Sequence, residues 1–229
     1  MTTDESSPAR STHPWLAIDL DVYERHMGDP RVRQRQLLHD ITGAQLADHP
    51  ARAVAVLGVA GGNGLDLIDP DTIDAVYGFD VNADYLAACD TRYREVFGDR
   101  LHLVVGPIDP STVIARVDLV IANLIVEYLG VAEFAAFLAI NATSIGVLSC
   151  VIQRDADRGF VSSSDDSSAF DVLASVSSSI DPEALTAATT AIGFEALGRS
   201  EHPLPNGKAL VRLDFAGPGG PSTPAVSPR

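Results

Sequence analysis

The chain has 229 residues with 31 acidic and 16 basic side chains, a formal net charge of -15. That balance excludes DNA or RNA as the main substrate, because phosphate contacts need clustered Lys and Arg. No apolar run is long enough to span a membrane, the acidic opening Met1–Glu5 is not expected to be a secretory leader, and the isolated Cys89 and Cys150 are expected to be buried thiols in a reducing cytoplasm.

Residues 1–13 and 217–229, rich in Ser, Thr, Pro and Gly, read as disordered tails. A short helix is expected over 20–29, ended by Gly28 and Pro30, and a longer one over 31–48 with Leu37, Leu38 and Ile41 on one side. Strands are expected at 53–59, 74–79, 101–105, 117–122 and 146–152. Asn82 caps a helix that carries Leu86, Cys89, Tyr93 and Val96 and stops near Gly98, and another helix covers 131–141. The Ser- and Asp-rich stretch 154–180, with Phe160, Phe170 and Leu173, is expected to form a partly helical lid. Asp181-Pro182 starts a helix that Gly193 ends, and strands 194–201 and 208–215 close the chain through an Asn-Gly turn. Alternating strands and helices imply an α/β sandwich on a mainly parallel sheet.

The most informative stretch is Ala53-Val-Ala-Val-Leu-Gly-Val-Ala-Gly-Gly-Asn-Gly64 with Val76-Tyr-Gly-Phe-Asp80. A buried strand running into a glycine turn, then a strand ending in a carboxylate, suits two neighbouring parallel strands. Their carboxyl ends can hold an adenosine, with Asp80 accepting from the ribose hydroxyls. The segment after the glycines, Leu65-Asp-Leu-Ile-Asp-Pro70, is short, acidic and stopped by proline. That makes a poor pyrophosphate platform, so a cofactor without phosphates fits better. An NAD(P)-dependent oxidoreductase remains the rival, because Asp80 would serve an NAD ribose equally well; against it, the only lysine, Lys208, lies in the closing hairpin, and there is no Tyr-x-x-x-Lys pair.

Over about residues 50–215 the chain resembles the class I S-adenosylmethionine-dependent methyltransferases. The resemblance rests on Gly58–Gly64, Asp80, Gly106-Pro-Ile-Asp109, Asp118-Leu-Val-Ile-Ala-Asn-Leu-Ile-Val-Glu-Tyr128 and the ending at Gly193-Phe194 with its hairpin. The turn, with Tyr23-x-x-His26-Met27, also resembles a bacterial small-molecule branch. It departs from the family at Gly58, where an acid is usual, at Ala60, which replaces the first glycine, and at Pro107, which replaces an Asp.

The resemblance implies a Rossmann-like, doubly wound, seven-stranded sheet with a closing antiparallel hairpin over 51–216, and a helical cap over 14–50. It implies S-adenosyl-L-methionine held by Gly58, Val59, Ala60, Gly61 and Asn63 (methionine part), Asp80 (ribose), Val81, Ile108 and Asp109 (adenine), and Asn123 and Leu124 (methyl end). Glu127, Tyr128 and His26 are candidate proton acceptors, and Tyr23 and Met27 candidate acceptor contacts. The partner implied is a small-molecule methyl acceptor, with neither nucleic acid nor membrane; a homodimer is compatible with it. A cofactor-binding fold that has lost catalysis and serves as a partner protein is the further alternative, kept open by Gly58 and Ala60.

Overall fold

The computed structural model describes residues 13–154 and 161–220. Expectations for residues 1–12, 155–160 and 221–229 lie outside the described residues. Seven strands form one sheet: β1 (Ala53–Leu57), β2 (Ala75–Asp80), β3 (Leu101–Val105), β4 (Val117–Asn123), β5 (Ile145–Arg154), β6 (Glu195–Pro203) and β7 (Ala209–Ala216). Their order is β3-β2-β1-β4-β5-β7-β6, and only β7 runs against its neighbours. The order reverses between β1 and β4, and in such open sheets ligands bind in the crevice beyond the carboxyl ends at that point.

The strands are apolar on both faces because helices cover both. Along β1, Val54 and Val56 pack with Leu86, Cys89 and Phe97 of α3 (Ala83–Phe97), whereas Ala55 and Leu57 join the cluster of Phe134, Phe137 and Leu138 of α5 (Val131–Asn141) and Leu185 of α6 (Pro182–Ala191). This is the period-2 alternation of a strand sandwiched between two layers. A one-turn helix α4 (Val126–Leu129) precedes α5.

Local signals set the element ends. The Asn82 side chain accepts from Asp84 N and Tyr85 N, and Asp181 accepts from Glu183 N and Ala184 N ahead of Pro182, as expected at both caps. The second helix, α2 (Gln34–Asp48), starts three residues later than the periodicity indicates. Val32 and Arg33 both donate to Asp29 O in a tight turn, and Arg33 sits at φ 55°, which excludes it from the helix. Similarly, β1 ends at Leu57 because Gly58 turns the chain at φ 71°.

Within the helical cap expected over 14–50, α2 lies against the sheet, its Leu38 and Ile41 packing with Val151 and Leu210. Residues 217–220 run on beyond β7 alongside the start of β5, with Gly217 N donating to Gly146 O at 2.8 Å and Arg116 Nη2 donating to Gly219 O at 3.0 Å. What lies over the crevice is α1 (Leu20–Gly28), the preceding 3-10 turn Pro14–Ala17, and a nine-residue 3-10 segment, Ser167–Ser175, within the Ser-rich stretch.

Candidate functional site

Asp80 is the last residue of β2. One carboxylate oxygen accepts from Ala60 N at 2.9 Å and the other from Asn82 N at 2.9 Å. The carboxylate therefore ties the glycine turn after β1 to the start of α3 across the crevice. Burial pushes its pKa up, while the two backbone N–H groups and nearby His13 pull the other way. Each oxygen keeps lone-pair capacity for a further donor.

The glycine turn has an unexpected structural reason. A Cβ on Gly62, at φ 89°, would meet the Tyr93 ring at 2.5 Å, and one on Gly64, at φ 93°, would meet Thr42 at 2.8 Å, whereas one on Gly61 would meet the flexible ends of Arg92 and Glu24. Gly62 and Gly64 let α3 and α2 close onto the turn. Arg92 then straps the turn from outside, donating to Gly61 O at 3.0 Å while bound to Glu24 of α1 at 2.5 Å. At the first-glycine position, Ala60 occupies the left-handed region at φ 47°, as does Leu124 at φ 56° after β4. Two non-glycine residues in that conformation, both lining one cavity, mark a strained site.

Two adjoining hollows lie at the carboxyl edge, about 1140 Å³ and 740 Å³ in volume with their open mouths included. The larger has a floor of Gly58, Ala60, Asp80, Val81, Ile108 and Leu124. Its roof comes from Trp15, Tyr23, His26 and Met27 on one side and Phe170 and Leu173 on the other. The smaller extends under the glycine turn past Val59, Gly61 and Asn63. Gly58, Ala60, Asn123, Tyr23 and Met27 border both.

Side chains hold the roof in place. Trp15 meets Tyr23 edge-on at 5.7 Å and Tyr128 at 5.2 Å, Tyr23 stacks on Tyr85 at 6.0 Å, and the Tyr85 hydroxyl donates to Ile18 O at 2.9 Å. On the other side His26, 4% exposed, packs on Phe170 at 4.3 Å and shares a 2.6 Å hydrogen bond between Nδ1 and Ser164 Oγ. Arg25 pairs with Asp166 at 3.3 Å, and Arg31 with Asp165 at 3.0 Å, so the acidic stretch is clamped to the basic end of α1. Burial lowers the His26 pKa, Asp166 and Asp29 oppose this, and Lys208 adds to it, so the ring is neutral at pH 7.

Two sequence-derived candidates line neither hollow. Glu127 is fully buried, and its Oε1 accepts from Gln153 N at 2.6 Å, which makes it a brace for the end of β5. Asp109 folds back on its own turn, accepting from Ser111 N at 2.7 Å and Ser111 Oγ at 2.6 Å. Asn123 reaches the cavity wall, but its side chain turns toward α2: Gln45 Nε2 donates to Asn123 Oδ1 at 3.0 Å, and Asn123 Nδ2 donates back to Gln45 Oε1 at 3.2 Å. Gln45 Nε2 also donates to Ser149 Oγ at 2.9 Å, Ser149 Oγ to Asp214 at 2.5 Å, and Asp214 pairs with His49 at 3.1 Å and Arg212 at 2.6 Å. This buried chain locks α2 to β4, β5 and β7.

Sequence reasoning missed His13, Trp15, Gln34, Tyr85 and Gln153. Tyr85 carried a signal, since it lies in the first turn after the Asn82 cap, beside the carboxyl edge. The others reach the cavity through contacts between distant segments and carry no local one.

No protein-family model matches the chain, and no curated protein matches it. Solved structures do. Magnesium protoporphyrin IX methyltransferase (ChlM) from Synechocystis PCC 6803, with bound SAH, superposes with a TM-score of 0.63 at 15% identity, covering 86% of this chain and 93% of that one. N-methyltransferase NodS from Bradyrhizobium japonicum WM9, in complex with S-adenosyl-L-homocysteine, gives 0.61 at 14% identity, over 87% and 98%. The [4+2]-cyclase SpnF gives 0.66 at 12% identity, over 90% and 95%. At such identities the likeness establishes architecture: the chain has the class I methyltransferase fold.

Proposed function

We propose that the protein is an S-adenosylmethionine-dependent methyltransferase acting on a small molecule. The observation that carries this reading is the crevice at Asp80: a carboxylate held by Ala60 N and Asn82 N beside the glycine turn, at the point where the strand order reverses. The residues suit the cofactor. Asp80 would hold the ribose, Val81 and Ile108 would flank the adenine, and Gly58, Ala60 and the smaller hollow would take the methionine part. The neighbours with bound SAH or SAM support this choice of cofactor. After Gly64 only a three-residue 3-10 turn, Leu65–Leu67, follows. That offers no helix N-terminus to a pyrophosphate, which disfavours the nicotinamide reading.

When bound, the cofactor supplies an electrophilic methyl group on a sulfonium. The chain's own work is to align the acceptor and exclude water, and such positioning is worth roughly 7–11 kcal/mol in well-oriented systems. The roof residues Trp15, Tyr23, Met27 and Tyr128 do both. His26 is the residue best suited to take a proton. It lines the hollow and is neutral; when Nδ1–H donates to Ser164 Oγ, the Nε2 lone pair is left to accept.

The test is isothermal titration with S-adenosylhomocysteine, NAD⁺ and NADP⁺, on the wild type and on Asp80→Ala. Micromolar binding of the homocysteine compound alone, weakened at least a hundredfold in the variant, is the expected result; nicotinamide binding would overturn the reading. Because a [4+2]-cyclase shares the fold, transfer of labelled methyl to an acceptor panel must accompany it.

A further inference from the structure

The larger hollow has a polar point that the cofactor reading leaves unused. Gln34, the first residue of α2, lines it and is 5% exposed. Its Nε2 donates to Oε1 of Gln153, which is 3% exposed and comes from the end of β5. Gln153 N is in turn held by Glu127, so the amide pair is fixed from two sides of the molecule. The other half of the Gln34 amide, its oxygen, takes no hydrogen bond among the described residues. That oxygen is not sealed in the core, and it keeps its lone pairs for a donor that enters the hollow. A side chain so placed in a cavity wall is explained when a ligand brings the donor.

The rest of the wall limits what that ligand can be. The same hollow is lined by Met27, Tyr23, Leu124, Phe170 and Leu173, and among the described residues no lysine or arginine lines it. Among the described lining residues Asp80 is the one carboxylate, and the cofactor reading assigns it to the ribose. An anionic acceptor would lose its hydration there with no cationic side chain among the described lining residues to replace it.

We propose that the acceptor site takes an uncharged, mainly apolar molecule bearing a hydroxyl group, and that Gln34, fixed by Gln153, reads that hydroxyl as the acceptor of its hydrogen bond. This rests on the methyltransferase reading for the neighbouring cofactor.

The chain supplies its own reporter, since its single tryptophan, Trp15, lines the same hollow. With the protein saturated in S-adenosylhomocysteine, 1-naphthol should quench Trp15 emission saturably, and 1-naphthoate and 1-naphthyl phosphate should bind at least tenfold more weakly. Gln34→Leu and Gln34→Met should each weaken 1-naphthol about tenfold while leaving 1-methylnaphthalene and S-adenosylhomocysteine unchanged. Using two apolar replacements guards against one that merely fails to fold. The proposal is overturned if an anionic probe binds as tightly as 1-naphthol, if neither variant alters 1-naphthol, or if no neutral probe binds a protein that does bind S-adenosylhomocysteine. Failure of S-adenosylhomocysteine itself to bind would instead count against the cofactor reading.

Discussion

The floor and the roof of the cavity are built in different ways. The floor is backbone: the turn after β1, the ends of β2 and β4, and a carboxylate on two N–H groups. The roof is side chains from segments far apart in sequence, with aromatic rings on one side and Arg–Asp and His–Ser contacts across more than a hundred residues on the other. Backbone geometry is dictated by neighbours in the chain, so the floor resists small changes and fails abruptly. A roof made of weak, separable contacts can be detuned one contact at a time.

The largest effect that would break this contrast lies beneath both. Asp214→Ala removes the shared partner of Ser149, His49 and Arg212, leaving the 5%-exposed Arg212 guanidinium with only Asp48. Breaking a buried ion pair from one side costs about 3–5 kcal/mol, so a large fall in the urea midpoint is expected, with α2 loosened from the sheet. A milder fall than in a surface control would show that the network does not carry α2.

Next comes Gly62→Ala, which adds both a φ of 89° and a 2.5 Å collision with Tyr93. Left-handed strain of about 1–2 kcal/mol plus overpacking of about 1–3 kcal/mol should lower stability and S-adenosylhomocysteine affinity together. If affinity falls with stability untouched, the glycine faces ligand after all, and the packing account of the turn is lost.

The roof is tested by pH. The folded pKa of His26 lies below its ordinary 6.5, so the unfolded chain binds the extra proton first. Stability from this site is therefore full above pH 6.5 and declines as pH falls through that value toward the folded pKa. In His26→Gln, which can still bond Ser164, that part of the slope should vanish from thermal melts taken between pH 5 and 7. An unchanged slope would remove His26 from the account.

The smallest expected change is a gain. Ala60→Gly relieves a left-handed alanine at φ 47°, which should raise stability by about 1 kcal/mol, offset in part by the greater freedom of glycine when unfolded. A loss would mean that the alanine methyl packs usefully in the hollow.

The same division explains what the sequence disclosed. Gly58, Asp80, the Asn82 and Asp181 caps and the closing hairpin depend on residues close in the chain, and all were readable from type and spacing. The start of α2 was not, because Arg33 in a left-handed turn has no glycine to announce it. Glu127 looked like a base from its place after β4. Only the return of β5 beside it, bringing Gln153 N within 2.6 Å, makes it a brace. Gln34 carries no local signal within the helix expected over 31–48, and its burial accompanies its contact with Gln153 of β5.

The Arg92–Glu24 strap has a consequence for how the molecule opens. It joins α1 to the outside of the very turn whose inside faces the cavity, so α1 cannot lift without releasing Gly61. The amides of α1 and of the turn should then exchange with deuterium as one unit, at a free energy below that of the sheet. A tight ligand in the hollow, acting on that equilibrium by mass action, would slow both by the same factor. A matched change in two segments almost forty residues apart would make α1 an occupancy gauge for the hollow.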